Sequence, residues 1–188
     1  MIVTPKVVNN NNTTENTDEI KNEYKNEITK SENVSNKVSL YNEETVVLDI
    51  KGKNKIDVID EMVEILDKSG VLLDKNKFKE EIHKREEISS TGFGMGIAIP
   101  HAKTDAVKVP RVAVGVSKEG FDFESEDGSP VHLIFMIAAT DNGDNLHLKT
   151  LSQLSAKLMD EEFLNELINS KTSIEIVSKL NNEEIKSL

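Results

Sequence analysis

A histidine at the end of a short apolar run is the first residue able to do chemistry. His101 follows "GIAIP" (96–100), so an imidazole stands where a strand ends and Pro100 stiffens the chain. A nearby carbonyl can hold one nitrogen of such a ring. The other nitrogen is then a neutral nucleophile near pH 7, because the ordinary imidazole pKa is about 6.5. The competing use is a hydrogen-bonded structural ring. Arg85, in "HKREE", is one of two arginines in the chain, Arg111 being the other. Its planar fork suits phosphate or carboxylate oxygens, and on that charged stretch it suits a surface ion pair as well. His147, in "DNLHLKTL", falls in the first turn of a predicted helix capped by Asp144 or Asn145. The N–H groups at such an end favour an anion, and a merely solvated ring is the plainer alternative. His83 lies among charges and is expected to face solvent. His132 alternates with apolar strand residues and is expected to be a hydrogen-bonded core or edge histidine.

Other chemistries lack their motifs. With no cysteine there is no thiol nucleophile, thiolate metal site or disulfide framework. No His-x-x-x-His pair or Asp-rich loop supports a metal, and no Gly-x-Ser-x-Gly elbow supports a serine hydrolase. The run "GFGMG" is not the Gly-x-Gly-x-x-Gly of dinucleotide folds, it precedes a strand, and no Walker lysine motif occurs. No cofactor is therefore expected. Glycines at 92, 94 and 96 have two readings. One is a tight irregular loop. The other is an extended face without side chains, open to the backbone or the nucleophile of a partner.

The elements that must position these residues begin after a polar tail. Residues 1–40, including "NNNNTTENTDEIKNEYKNEITKSENVSN", offer few apolar side chains to bury and read as a solvated or weakly helical tail. Residues 41–188 form the domain. "TVVLDI" (45–50) reads as a strand. Ile59, Met62, Val63 and Leu66 mark an amphipathic helix that Gly70 ends, and a second helix starts at Asp74 as N-cap and carries Phe78, Ile82 and Arg85. Three strands follow, in "GIAIP", "RVAVGVS" and "VHLIFMIAA", the last two separated by the charged hairpin or loop "KEGFDFESEDGSP". Three helices close the chain, in "DNLHLKTLSQLSAKLMD", "EEFLNELINS" and "SIEIVSKL". Strand, two helices, three strands, three helices is not a strict alternation. It predicts an α+β fold, a three-layer α/β/α arrangement with a mixed sheet flanked by helices. "VHLIFMIAA", apolar almost throughout, is its central strand.

The charge restricts partners. A net charge of −11 on 188 residues argues against nucleic acid and against an anionic membrane surface. No run of 18 apolar residues is present, so no membrane insertion is expected. The start carries no signal-peptide pattern, and with the absence of cysteine this fits a cytoplasmic protein.

Two longer stretches carry a family resemblance. "REEISSTGFGMGIAIPHAKTDAV" (85–107) resembles the active-site signature of the EIIA domains, fructose/mannitol type, of the bacterial phosphoenolpyruvate-dependent sugar phosphotransferase system. "DGSPVHLIFMIAATDNGDNLHLKTLSQLSAKLMDEEF" (127–163) resembles the second half of that domain, and the likeness runs from about Tyr41 to Leu180. "PHAKTDAV" and "PVHLIFMIAA" are more similar to fructose-type than to mannitol-type domains. The resemblance implies that His101 accepts a phosphoryl group from the phosphocarrier protein HPr and passes it to an EIIB domain. By position, His147 would be the second active-site histidine and Arg85 the basic residue near the phosphoryl oxygens. It implies sugar transport, fructose uptake above all, with an EIIC permease in the same or a neighbouring chain as a further partner and a membrane tether. A regulatory, nitrogen-type EIIA uses the same chemistry to control other proteins. A non-catalytic interaction domain is the rival from another class, and the joint presence of His101, Arg85 and His147 argues against it.

Overall fold

The central strand explains the architecture. β6 (Val131–Ala139) is buried along its length except for a half-buried His132. Successive side chains of a strand point to opposite faces, so a run apolar at every position needs cover on both. Ile134, Met136 and Ala138 join one apolar cluster; Leu133, Phe135 and Ile137 join the other. The first cluster is roofed by α1 (Lys55–Lys68) and α2 (Lys75–Ile88), through Val58, Ile59, Met62, Leu66, Phe78 and Ile82. The second is roofed by α3 (Leu146–Lys157), α4 (Glu161–Ile168) and α5 (Ser173–Lys186), through Leu154, Leu158, Leu164, Leu167, Ile176 and Leu180. The expected mixed sheet flanked by helices is the observed fold. These features come from a computed structural model that describes residues 39–142 and 146–186, with the side chains of 146–148 and 182–186 outside the description. The expected polar tail lies outside the described residues up to 38.

Six strands form one sheet among the described residues. Its order is β1 (Tyr41–Val47), β5 (Arg111–Phe121), β6, β3 (Ile97–Ala98) and β2 (Gly92–Gly94), with β4 (His101–Lys103) also on β6. β5 and β6 are antiparallel neighbours, whereas β1 runs parallel to β5, and β3 and β4 both run parallel to β6. β3 and β4 are two halves of one line, interrupted at Ile99 and Pro100. Proline has no N–H to donate to a ladder, but its carbonyl still accepts from Ile137 N at 2.9 Å. The interruption therefore leaves His101 in register, opposite Ile137.

Side-chain oxygens cap α1 and α2, the second of them at the expected Asp74. The Asn54 side chain accepts from Asp57 N at 3.0 Å, and the Asp74 side chain accepts from Lys77 N at 3.0 Å, so each supplies an acceptor for an otherwise unpaired N–H of the first turn. α1 ends at Ser69, and Gly70 follows as expected. Three details differ. The first strand is Tyr41–Val47 instead of 45–50; Ile50 instead donates its N–H to Val116 O at 3.0 Å and buries its side chain. The three predicted central strands are joined by two short ones, β2 and β4. The charged stretch after residue 117 is not all surface, because β5 continues to Phe121, and Phe121 and Phe123 are buried edge-to-face with ring centroids 6.1 Å apart. Among the described residues no helix is long and apolar enough to cross a membrane.

Candidate active site

His101 opens β4 directly after Pro100, half-buried beside the last turn of α2. Its Nδ1 lies 2.8 Å from the carbonyl oxygen of Ile99. A carbonyl only accepts, so Nδ1 carries the proton and Nε2 keeps its lone pair. Arg85 Nε donates to that Nε2 at 3.3 Å. The ring thus has one face of its chemistry set by the backbone and the other turned toward a fixed cation. Arg85 is itself anchored, since its Nη1 donates to Ser89 O at 2.9 Å across the end of α2. Residues 16 apart in sequence meet because α2 packs along the sheet face next to β4.

The surrounding cleft is open and mixed in character. Glu81, Lys84, Arg85 and Ile88 of α2 face His101 and Lys103 of β4 and Leu151 of α3 across it. Lys84 is paired with Glu80 and Glu81, at 2.8 and 3.1 Å, and these contacts hold its pKa above the ordinary lysine value. Lys103 was not singled out from the sequence. Its signal was the strand alternation, which puts a residue two places after His101 on the same face. The cleft is lined by three cations, Lys84, Arg85 and Lys103, and by the Glu81 carboxylate that pairs with Lys84, in a chain whose net charge is −11. Such a site can make a nucleophile of Nε2 and offset negative charge that arrives there.

The other expected residues divide. His147 lies in the first turn of α3, but its side chain is outside the described residues, as are its proposed caps Asp144 and Asn145. His83, expected to face solvent, is half-buried with Nε2 3.7 Å from Asp60 Oδ1. His132 is half-buried and hydrogen-bonded as expected, its Nδ1 3.0 Å from Ser117 O.

The open-glycine-face expectation is wrong. β2 and β3 form an antiparallel hairpin whose turn takes Gly94, Met95 and Gly96 through positive φ values of 88°, 54° and 77°. Asp127 Oδ2 accepts from Met95 N at 3.0 Å and holds this turn, so the tight-loop reading is correct. The space beside the glycines is filled by the chain itself. A Cβ on Gly92 would meet Ser125 Cα at 2.8 Å, and one on Gly96 would meet His132 Cδ2 at 3.3 Å. The turn of the hairpin also lies away from the imidazole. Gly96 bonds to His132 N while His101 pairs with Ile137, a separation of roughly 16 Å along β6 at about 3.3 Å per residue.

Fold and cleft together define a small mixed-sheet domain that presents a backbone-oriented imidazole beside an arginine. The model of the family described as "Phosphoenolpyruvate-dependent sugar phosphotransferase system, EIIA 2" matches residues 39–183. The chain belongs to that family. It is 50% identical over 145 residues to the fructose-specific EIIABC component of the phosphotransferase system of Bacillus subtilis, a match covering 77% of this chain and 23% of that protein. It is 36% identical over 129 residues to the fructose-specific EIIA component of Haloferax volcanii, covering 69% of this chain and 84% of the relative. Among solved structures, the nitrogen regulatory protein IIA-Ntr of Neisseria meningitidis aligns with a TM-score of 0.70 and 29% identity, over 75% of this chain and 96% of that one.

Proposed function

We propose that this domain carries a phosphoryl group on His101 Nε2, receiving it from phosphorylated HPr and delivering it to an EIIB domain in fructose uptake. The observation that carries the reading is the pair of contacts on one ring: Nδ1 toward Ile99 O, and Nε2 beneath Arg85 Nε. The Nε2 lone pair attacks the phosphorus of the donor's phosphohistidine. The donor P–N bond breaks, its electron pair returns to the donor imidazole, and a P–Nε2 bond forms. The positive charge this places on the His101 ring is shared with the Ile99 carbonyl through Nδ1–H. Arg85 then turns from the lone pair to the phosphoryl oxygens, and Lys103 and His147 stand on the elements that can add further donors. Delivery reverses the step: the EIIB nucleophile takes the phosphoryl group and the electron pair returns to Nε2. Positioning and charge stabilisation supply the catalysis.

Fructose as the sugar is supported by the identity to the Bacillus subtilis and Haloferax volcanii proteins. An EIIB and an EIIC partner, and a tether to the membrane through them, are supported by the EIIABC composition of the former. A second reading, control of other proteins through the phosphorylation state, draws on the likeness to the nitrogen regulatory structure. One reconstitution separates them. The chain is loaded with phosphoenolpyruvate, enzyme I and HPr, then mixed with a fructose-type EIIB domain. Transport predicts that the label moves to EIIB within seconds; a domain that loads but keeps its phosphoryl group is a regulator.

A further inference from the structure

The Ile99 carbonyl that selects the His101 tautomer is held from two sides. On one side the next carbonyl, Pro100 O, accepts from Ile137 N at 2.9 Å, which ties the chain to β6. On the other side Ile99 N donates to Thr91 O at 3.0 Å. Thr91 belongs to no strand, so a separate contact must fix it. That contact is Glu86, the residue after Arg85 on α2. Its Oε2 accepts from Thr91 N at 3.0 Å, and its Oε1 accepts from Thr91 Oγ1. The Glu86 side chain is only 4% exposed, an unusual place for a carboxylate, and Lys55 Nζ of α1 reaches its Oε2 at 3.0 Å. Burial disfavours the Lys55 ammonium, yet its hydrogen bonds to Glu86 and Glu124 outweigh this and hold its pKa above the ordinary lysine value. Lys55 also lies 5.4 Å from the centroid of the Phe123 ring. A buried ion pair adds little net stability over an apolar pair of the same shape, so stability alone is a weak reason to keep this one.

We propose that Glu86 is a positioning residue for His101, acting through Thr91 and the Ile99 carbonyl to hold the imidazole with Nδ1 protonated and Nε2 available. The carboxylate orders the 89–91 turn from below while Arg85 pins the same turn through Ser89 O. One turn of α2 therefore sets both the cation and, two hydrogen bonds away, the carbonyl that chooses the reactive nitrogen. The catalytic consequence rests on the reading of His101 as phosphoryl acceptor; the tautomer consequence does not.

The test uses the full chain, unphosphorylated, with Thr91→Val, Thr91→Ser and Glu86→Gln variants. Thr91→Val removes the hydroxyl contact to Glu86 and keeps the volume, Thr91→Ser restores the hydroxyl, and Glu86→Gln removes the charge paired with Lys55 and turns one of the two acceptor oxygens into an NH2 donor. Ring 15N shifts of His101 report which nitrogen carries the proton. The parent and Thr91→Ser are expected to be almost wholly Nδ1–H. In Thr91→Val the Nε2–H fraction relative to Nδ1–H is expected to rise roughly tenfold, the scale of one lost hydrogen bond. Glu86→Gln, which keeps one acceptor oxygen, is expected to shift in the same direction, and the acceptance rate to fall by up to about a hundredfold at unchanged KM. An unaltered tautomer in Thr91→Val overturns the proposal even if Glu86→Gln fails to fold, because a purely structural contact lowers the melting temperature and leaves the ring nitrogens alone. A shifted tautomer with no phosphoryl acceptance in the parent would uphold the positioning and refute the acceptor reading.

Discussion

Replacing Arg85 by lysine separates the charge of the site from its geometry. Arg85 makes two contacts with different jobs: Nη1 to Ser89 O at 2.9 Å holds the side chain, and Nε at 3.3 Å from His101 Nε2 meets the nitrogen proposed to react. Lysine keeps a positive charge but has one nitrogen, which cannot serve both places at once. Removing a donor aimed at developing charge typically costs about 2.7–4 kcal/mol, roughly a hundred- to a thousand-fold in rate. Because the charge survives, the expected loss for Arg85→Lys is smaller, about tenfold to a hundredfold, or about 1.4–2.7 kcal/mol. Arg85→Gln, which loses the charge too, should fall in the full range. Stability should change little, because the exposed Ser89 contact contributes on the order of 0.5–1.5 kcal/mol, a shift of roughly 5 °C or less in Tm. Quenched-flow transfer from phosphorylated HPr under single-turnover conditions measures the step directly. An Arg85→Lys rate within twofold of the parent would refute the role given to the guanidinium fork.

Gly115→Ala should destabilise the domain without touching the site: its Cβ would meet Ile50 Cδ1 at 2.4 Å, Met62 Sδ at 3.0 Å and, at 2.7 Å, Cγ2 of the fully buried Ile134 in the central strand. The expected cost is about 2 kcal/mol, or roughly 4–8 °C in Tm by calorimetry, with the transfer rate of the folded protein retained. Asp127→Asn should show a pH-dependent deficit. Hydrogen bonds from the Ser129 side chain, then from Ser129 N and Met95 N, hold the Asp127 carboxyl below its ordinary value, so its stabilisation is present above the unfolded pKa of about 3.9 and is lost as pH falls through the lower folded value. Thermal melts from pH 6 down to pH 2 should show the gap between parent and variant closing only in that acid window. Deleting residues 1–36 should leave Tm and phosphoryl acceptance nearly unchanged, given their polar composition, while deletion through Ile50 removes β1 and should unfold the domain.

What could be read in the sequence was what local pattern determines. "VHLIFMIAA" announced a strand buried on both faces, and the 59, 62, 63, 66 spacing announced the face of α1 that covers it. Asp74 was legible as a cap because its short oxygen-bearing side chain precedes a helical pattern. Pairing partners were not legible. The glycines of "GFGMG" look like an open face until residues 125–132, some thirty positions later, are folded against them. β1 began earlier than expected because "YNEE" is polar, and a strand with a sheet neighbour on one side alone tolerates that. Phe121 and Phe123 were hidden by the charges around them, although their alternation was a strand signal. His101 and Arg85 were visible as residue types in a pattern, and Lys103 as a same-face strand neighbour of His101, but Glu86 is placed by neighbours in space. Glu86 looked like one more charge in "HKREE" until Thr91 and Lys55 were placed against it.

The central claim is that one nitrogen of one histidine carries the phosphoryl group. Loading the chain with phosphoenolpyruvate, enzyme I and HPr and weighing it intact tests this most directly, with His101→Ala, His83→Ala and His132→Ala proteins alongside. A single acid-labile phosphoryl adduct is predicted for the parent and for the His83 and His132 variants, with 31P–15N coupling placing it on Nε2 of His101, and none for His101→Ala. Undiminished labelling of His101→Ala, or a parent adduct on Nδ1, would contradict the account.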